Sequence, residues 1–241
     1  MNNFFQDFGL IFSNSLFSSY MDWFHNFNCS LLFGVLSFVS TMFAYLLLRH
    51  FYFKRKKIEY QFGELLCRVF PTLILVIQMI PSLSLLYYYG LINLDSNLTV
   101  KVTGHQWYWS YEFRDIPGLE FDSYIKSLDQ LELGEPRLLE VDNRCVVPCD
   151  TNIRFCITSG DVIHSWALPR MAIKLDAMSG ILSTLSYSFP LVGVFYGQCS
   201  EICGANHSFM PIALEVTLLD NFKSWCIGLL EEGEVSENSL D

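Results

Sequence analysis

A short segment of this chain combines four side chains that bind soft metals. Cys199, Cys203, His207 and Met210 lie within twelve residues, in the pattern Cys-x3-Cys-x3-His-x2-Met. Thiolate and thioether sulfur atoms select copper, and imidazole suits the same metal. A protein site for a single electron-transferring copper uses one cysteine, two histidines and a weak axial methionine. Because this segment contains two cysteines, two metal ions could share bridging thiolates.

This segment supplies one imidazole, so a second histidine must come from elsewhere in the chain. The chain has five histidines, and three of them, His105, His164 and His207, lie in its C-terminal part. His164 follows a turn at residues 159–161 and opens a predicted strand. We therefore expect its ring to reach a loop at the rim of the domain.

Two other chemistries use the same residue types. Zinc also binds cysteine and histidine, but Cys-x3-Cys is less typical of structural zinc than Cys-x2-Cys, and methionine is not a zinc preference. A disulfide between Cys199 and Cys203 is the second alternative, in an oxidising compartment. Residue types and spacing alone leave both alternatives open.

Two uncharged segments near the N-terminus are long enough to cross a lipid bilayer. Residues 29–48 and 69–91 contain twenty and twenty-three residues without a charged side chain, and about 20 apolar residues span the hydrocarbon core. Between them, residues 49–57 contain five lysines or arginines. Positive charge beside a span marks the side that stays inside. We predict that residues 1–94 form a membrane anchor with both ends of the hairpin outside.

The remaining chain has the pattern of an all-β domain over residues 95–230. Many short segments with β-branched or alternating residues, separated by turn residues, predict a sandwich or barrel. A helix is predicted from about residue 219 to 230, with Asp220 near its start, where a carboxylate favours the helix dipole. The acidic residues 231–241 are predicted to be disordered. The predicted strands include residues 98–103, 138–141, 152–158 and 212–217.

Composition and charge restrict the function of the chain. Charged residues make up 17% of it, against about 25% in soluble domains, which favours a membrane location. The net charge of −10 argues against a nucleic-acid partner, because such binding needs a basic surface. From Asp95 onward, twenty-one acidic residues outnumber nine basic ones, a charge that suits either attraction of a basic partner or simple solubility. The candidate residues for this attraction are Glu112, Asp115, Asp122, Asp142 and Asp161.

An aromatic segment and the metal segment together resemble one protein family. Residues 104–112 read Gly-His-Gln-Trp-Tyr-Trp-Ser-Tyr-Glu. This segment, the sequence around His164 and residues 199–210 are similar to the signatures of subunit II of the haem–copper cytochrome c oxidases. The resemblance implies an antiparallel transmembrane hairpin of two helices, followed by a cupredoxin-like β-barrel with a C-terminal helix. Further similar segments are residues 81–83, 138–144 and 174–177.

The resemblance also implies a binuclear copper centre, named CuA in this family. In the implied centre, Cys199 and Cys203 bridge two copper ions. His164 and His207 each bind one copper, and Met210 is a weak ligand to one of them.

Further functional residues follow from the same resemblance. The backbone carbonyl of Glu201 is implied to bind copper, and its side chain is implied to reach a Mg²⁺ at the interface with the catalytic subunit. Trp107 is implied to be the exposed residue at which electrons arrive from cytochrome c, whereas Trp109 and Tyr111 are predicted to pack in the core. Glu64 matches the carboxylate at the mouth of a proton path in the catalytic subunit.

The implied protein is one subunit of a proton-translocating oxidoreductase. Its implied partners are cytochrome c, the haem-bearing subunit I that reduces O₂, other oxidase subunits and the lipid bilayer. The implied location is the mitochondrial inner membrane, with the copper domain in the intermembrane space and the basic residues 49–57 in the matrix.

A few residues depart from the family pattern, and other functions remain to be weighed. Ser84 stands where many relatives have arginine, and Cys145, Cys149 and Cys156 are not family ligands. These cysteines could pair or bind metal, but we interpret them as buried thiols. A membrane-anchored copper carrier would not need the aromatic segment. A quinol-oxidase relative would lack the copper ligands, and a single-electron cupredoxin would need neither the second cysteine nor two spans.

Overall fold

The computed structural model describes residues 15–48, 60–91 and 95–238. The basic residues 49–57, which the sequence assigns to the inside of the membrane, lie outside these ranges, as do the last residues of the acidic tail. The chain divides into a helical unit that includes Ser19–Leu91 and a β-rich unit that includes Ile92–Asp241.

Two long helices, α1 (Leu16–Leu48) and α2 (Gln61–Leu91), form the helical unit. Among the described residues, these two are long and apolar enough to cross a membrane, and their apolar stretches are not buried within the chain. Both helices begin before the predicted spans, because helical hydrogen bonding continues through polar residues that flank the uncharged segments. In α2 these include Glu64 and Arg68, whose carboxylate and guanidinium groups are 3.8 Å apart.

The described part of the β-rich unit contains ten strands and a closing helix, α3 (Leu219–Asn238). The strands are β1 (Leu98–His105), β2 (Tyr108–Phe113), β3 (Glu120–Ser123), β4 (Cys145–Pro148), β5 (Asn152–Ser159), β6 (His164–Leu168), β7 (Ile173–Ala177), β8 (Ser183–Ser188), β9 (Gly193–Gln198) and β10 (Pro211–Thr217). Their orders are β3-β2-β1-β5-β8, β4-β10-β9 and β6-β7 in three sheets. The predicted all-β domain with a C-terminal helix is confirmed.

Alternating apolar side chains build the core of this unit. Val100 and Val102 of β1 are fully buried, whereas the residue between them is partly exposed, as expected where successive side chains point to opposite faces of a sheet. The parallel pairing of β1 with β5 sets Val100 opposite Phe155, which is also buried. Trp109 and Tyr111 of β2 are 0% and 1% exposed, so the prediction that both pack in the core is confirmed.

The prediction of a strand at residues 138–141 is wrong. The amide groups of Leu139 and Glu140 both donate hydrogen bonds to the carbonyl of Pro136, at 3.3 and 3.2 Å. Leu138 has a φ of 68°, which lies in the left-handed region and is incompatible with an extended strand. Residues 137–139 therefore form a turn, and Val141 makes an isolated antiparallel bridge with Ile125 where a continuous strand was predicted.

The helix α3 extends further than predicted. Asp220 lies in its first turn as expected, but the helix continues to Asn238 and not to residue 230. Residues 231–238 are thus helical in the structure, in the region where the sequence predicted disorder. Once a helix is nucleated, each added residue contributes a hydrogen bond, and the glutamates in this stretch have good helix propensity.

The three cysteines outside the family pattern differ in exposure. Cys145 is fully buried, whereas Cys149 and Cys156 are only half-buried. Burial raises the pKa of the Cys145 thiol and keeps it protonated at neutral pH. The interpretation as buried thiols is therefore correct for Cys145, but Cys149 and Cys156 keep a partly accessible surface.

Candidate metal centre

The hairpin formed by β9 and β10 carries the metal segment in its connecting loop, residues 199–210. Cys199 follows β9 directly, and Met210 immediately precedes β10. The backbone N–H of Cys199 donates a 3.0 Å hydrogen bond to the carbonyl of Met210. His207 opens a short 3₁₀-helix inside the loop. This backbone hydrogen bond closes the base of the loop and fixes the distance between its two ends.

The sulfur atoms and imidazole rings converge at this loop. Cys199 Sγ lies 3.9 Å from Cys203 Sγ and 3.8 Å from His164 Nδ1. Cys203 Sγ lies 3.4 Å from His207 Nδ1. The ligand atoms of His164, Cys199 and Cys203 are all within 4.8 Å of one another. Two imidazoles and two thiols predicted from sequence thus form one continuous cluster.

The two remaining candidate ligands lie in the same loop. Met210 is 1% exposed, and its backbone is hydrogen-bonded to that of Cys199. The carbonyl oxygen of Glu201 lies 3.3 Å from Cys199 Sγ, and the residue is half-buried. The carbonyl therefore faces the sulfur cluster, while part of the Glu201 side chain remains available at the surface.

Close packing of β6 against β9 brings His164 to the loop. A Cβ atom on Gly197 of β9 would lie 1.8 Å from the carbonyl oxygen of Ala167 in β6, so only glycine permits this approach. Next to it, the N–H of Ser200 donates a 3.0 Å hydrogen bond to the carbonyl of Ser165. These backbone contacts hold His164 against the cluster, where it is completely buried.

The surroundings change the ionisation of the two thiols in opposite directions. Burial disfavours both thiolates, but hydrogen bonds with His164 and with backbone groups outweigh it and lower the pKa of Cys199 to about 7. For Cys203, burial and the negative charge of Cys199 raise the pKa. Two ionised thiols at this separation repel each other, and a bound metal cation would relieve that repulsion. The donor set, with two thiols, imidazoles and a thioether, fits copper.

Sequence reasoning missed the residues that support these ligands. Asp161 was predicted to attract a partner, yet its Oδ1 lies 2.8 Å from His164 Nε2. Gln106 donates a hydrogen bond of 2.8 Å from Nε2 to the carbonyl of Cys203. Gly104 leaves room for the ring, since a Cβ atom there would lie 2.9 Å from His164 Cδ2. The sequence offered one signal of this support: Asp161 lies in a turn, three residues before the candidate ligand His164.

Trp107 lies at the edge of the cluster. A Cβ atom on Gly204 would be 3.1 Å from Trp107 Cζ2, so the indole packs on the backbone next to Cys203. Trp107 is half-buried, and its Nε1 is a buried atom with no hydrogen-bond partner among the described residues. Trp107 is therefore less exposed than the resemblance implied, but it touches the loop that carries the ligands.

The acidic candidates for partner attraction differ in how strongly their charge is compensated. Glu112 is half-buried, with N–O distances of 2.8 Å to Lys101 and 3.2 Å to Arg114. The hydrogen bond from Lys101, with further help from Arg114, lowers the pKa of Glu112. These two cations reduce the long-range attraction that Glu112 can exert. The other four candidates have exposed positions: Asp115, Asp122, Asp142 and Asp161.

Comparisons with known proteins place the chain among close relatives. Residues 98–217 match the family model "Cytochrome C oxidase subunit II, periplasmic domain". The chain is 90% identical over 232 residues to cytochrome c oxidase subunit 2 of Ascaris suum, an alignment that covers 96% of this chain and 100% of that protein. Identity to cytochrome c oxidase subunit 2 of Caenorhabditis elegans is 81% over 231 residues, again covering 96% and 100%.

A solved structure shares the β-rich unit. The crystal structure of the periplasmic domain of subunit II of cytochrome oxidase of Bradyrhizobium japonicum superposes with a TM-score of 0.54 at 45% sequence identity. The match covers 58% of this chain and 97% of that domain, and it agrees with a cupredoxin-like fold. Given near-complete alignment to relatives at 81% identity and above, this chain belongs to the cytochrome c oxidase subunit 2 family.

Proposed function

We propose that this chain accepts electrons from reduced cytochrome c at a binuclear copper centre, CuA, and passes them to the haem of subunit I. That subunit reduces O₂ to water, and the reaction is coupled to proton pumping. The observation that carries the proposal is the convergence of Cys199, Cys203, His164 and His207, with neighbouring ligand atoms 3.4–3.9 Å apart. Membership of the subunit 2 family supports the same role.

Each copper would have its own imidazole ligand. Cys199 and Cys203 would supply thiolates to the two ions, and His164 and His207 would supply one imidazole for each ion. Met210 would be a weak ligand, and the carbonyl of Glu201 would complete the set. When bound, the two coppers supply a one-electron redox centre in which the charge is shared between two metals.

The chain itself restricts movement of the ligands when the charge of the centre changes. The hydrogen bond of 3.0 Å between Cys199 and Met210 closes the loop. His164 is fully buried, and its Nε2 is held by the carboxylate of Asp161 at 2.8 Å. Ligands locked by packing and by outer hydrogen bonds need little rearrangement during electron transfer.

Contacts with the rest of the oxidase would use residues around the loop. The side chain of Glu201 is proposed to share a Mg²⁺ with subunit I, and Trp107 is proposed to receive electrons from cytochrome c. Exposed carboxylates such as Asp115, Asp122 and Asp142 would attract the basic surface of cytochrome c. Such charges act mainly on the rate of encounter, and salt screens them.

The membrane part would hold the copper domain on one side of the mitochondrial inner membrane. The helices α1 and α2 would cross it, with the copper domain in the intermembrane space and the basic residues 49–57 in the matrix. Glu64, near the start of α2 and paired with Arg68, is proposed to lie at the mouth of a proton path in subunit I.

The proposal is tested by stopped-flow reduction of the purified oxidase complex by reduced cytochrome c. Combining Asp115→Asn, Asp122→Asn and Asp142→Asn should slow the second-order reaction at low ionic strength, and the difference should vanish at high salt. Asn retains an oxygen acceptor for the local hydrogen bonds, and Asp129→Asn, which removes one charge at an exposed acid elsewhere, is the control for each of the three single variants.

Two results would count against the proposal in different ways. An unchanged rate at low ionic strength would remove these three carboxylates from the docking surface. Failure of the copper-loaded complex to take electrons from cytochrome c would contradict the function and favour a membrane-anchored copper carrier. A chain that carries a single copper would favour a single-electron cupredoxin.

A further inference from the structure

The turn between β1 and β2 contacts both the metal loop and the turn that precedes His164. Gln106 lies in this turn with Trp107, and its side chain is exposed overall. Its backbone N–H nevertheless donates a hydrogen bond of 2.7 Å to Asp161 Oδ2. Its side-chain Nε2 donates a hydrogen bond of 2.8 Å to the carbonyl of Cys203. One residue thus joins two segments that are far apart in the sequence.

On one side of this bridge, Asp161 fixes the orientation of the His164 ring. Its Oδ1 accepts hydrogen bonds from His164 Nε2 at 2.8 Å and from the N–H of Val162 at 2.6 Å, while Oδ2 faces Gln106. A carboxylate accepts and does not donate, so Nε2 of the ring carries a proton. The other ring nitrogen, Nδ1, is thereby directed toward Cys199 Sγ, 3.8 Å away.

On the other side, the Gln106 side chain packs on the peptide that follows Cys203. Gly204 has a φ of 121°, and a Cβ atom there would be 3.1 Å from both Gln106 Nε2 and Trp107 Cζ2. A side chain at residue 204 would therefore push the turn away from the loop. The glycine keeps the hydrogen bond to the Cys203 carbonyl short and places the indole of Trp107 against the same peptide.

We propose that Gln106 is a positioning residue that locks the loop carrying Cys203 to the turn that contains Asp161 and precedes His164, and that it thereby fixes the contact between Trp107 and the metal loop. The proposal rests on the proposed copper site, because positioning matters only if these residues bind metal. The interpretation of Asp161 changes with it. Its carboxylate supports the site from within, in addition to any attraction of a partner.

The test compares Gln106→Met with Gln130→Met in the full chain in detergent. Methionine keeps the length of glutamine and removes the N–H donor, and Gln130 is an exposed glutamine in a separate loop. In metal-free protein, we expect Cys203 alkylation to be about two- to tenfold faster in Gln106→Met, the range for loss of one hydrogen bond. Cys145 and Cys226, both buried in the described structure, serve as internal references.

Copper loading gives a second readout of the same variant. We expect Gln106→Met to keep the copper content of the control protein while its electron spin resonance hyperfine couplings change, because the Cys203 loop adopts an altered position. The unfolding midpoint should fall only slightly, since a single hydrogen bond is lost and the Gln106 side chain is otherwise exposed.

The outcomes separate this inference from the proposed function. Equal Cys203 alkylation in both variants, or equal acceleration at Cys145 and Cys226, would overturn the positioning role. A control protein that takes up no copper would contradict the proposed function, whereas the alkylation rates would still decide whether Gln106 holds the loop.

Discussion

Replacing Arg144 with methionine should strongly destabilise the β-rich unit at neutral pH. The side chain of Glu140 is 0% exposed, and Arg144 contacts it at 2.8 and 2.9 Å through two nitrogens. Arg144 also reaches Glu215 of β10 at 3.1 Å, and Tyr196 of β9 donates a hydrogen bond of 2.6 Å to Glu140. This cluster therefore ties both strands of the metal-bearing hairpin to the turn before β4.

The magnitude follows from leaving a buried carboxylate without its cation. Removing one partner of a buried ion pair costs about 3–5 kcal/mol. Because Glu140 would keep the hydrogen bond from Tyr196, we expect a loss of about 3 kcal/mol in the free energy of unfolding. With a urea slope of about 2 kcal/mol/M, the unfolding midpoint should fall by about 1.5 M.

The pH dependence provides a second check on the same variant. Burial alone would raise the pKa of Glu140, but the hydrogen bonds from Arg144 and Tyr196 outweigh burial and lower it. Because the pKa of Glu140 is lower in the folded state, this group adds to the free energy of unfolding above its unfolded-state pKa of about 4.3. The contribution is lost as the pH falls through the folded-state pKa. In Arg144→Met, burial dominates, so Glu140 takes up a proton in mild acid. The stability difference between variant and parent should then narrow as pH falls from about 8 to 5.

The assay is urea unfolding of the full chain in detergent, followed by tryptophan fluorescence. Arg137→Met, at an exposed arginine close in sequence, is the control and should leave the midpoint in place. Adding Glu140→Gln to Arg144→Met should recover part of the loss, because the buried charge is removed. Two results would refute the reasoning: an Arg144→Met variant as stable as the parent at neutral pH, or a variant whose loss in free energy of unfolding does not change with pH.

Three further predictions concern the metal site. Met210→Leu should keep two coppers bound and raise the reduction potential measured by redox titration, because the oxidised state loses a weak sulfur donor. Loss of one copper in this variant would contradict a weak-ligand role for Met210. Trp107→Ala should slow electron uptake from cytochrome c severalfold without changing copper content, and an unchanged rate would remove Trp107 from the path. Copper affinity, measured by competition with a chelator, should fall as pH falls, by about tenfold per pH unit for each proton released. The reason is that metal binding must displace the proton that the raised pKa of Cys203 retains on its thiol. An affinity independent of pH would argue against a thiolate site.

The ligands could be predicted from the sequence because most of them are local. Cys199, Cys203, His207 and Met210 share one loop, so their types and spacing carried the chemistry before any fold was known. The ligand from outside the loop, His164, depended on recognising a turn before a strand and on the family resemblance. The strands with regular alternation, such as β1 and β5, were also predictable because their periodicity reflects a buried face.

The supporting contacts could not be predicted from the sequence, because they join residues that are far apart along the chain. Gln106 and Cys203 are 97 positions apart and Gln106 and Asp161 are 55 apart, so no local pattern records their hydrogen bonds. Residues 138–141 illustrate a local pattern that misled the prediction. Their apolar character indicated a strand, but Leu138 has a left-handed backbone conformation that interrupts it. Composition also suggested disorder after residue 230, where continuation of an existing helix was the stronger effect.

The most direct test of the central claim is the metal content of the copper-loaded full chain, measured together with its electron spin resonance spectrum. We expect two coppers per chain that share one unpaired electron, with Cys199→Ser abolishing that spectrum. One copper with an ordinary single-ion spectrum, or zinc in place of copper, would contradict the binuclear centre on which the account rests.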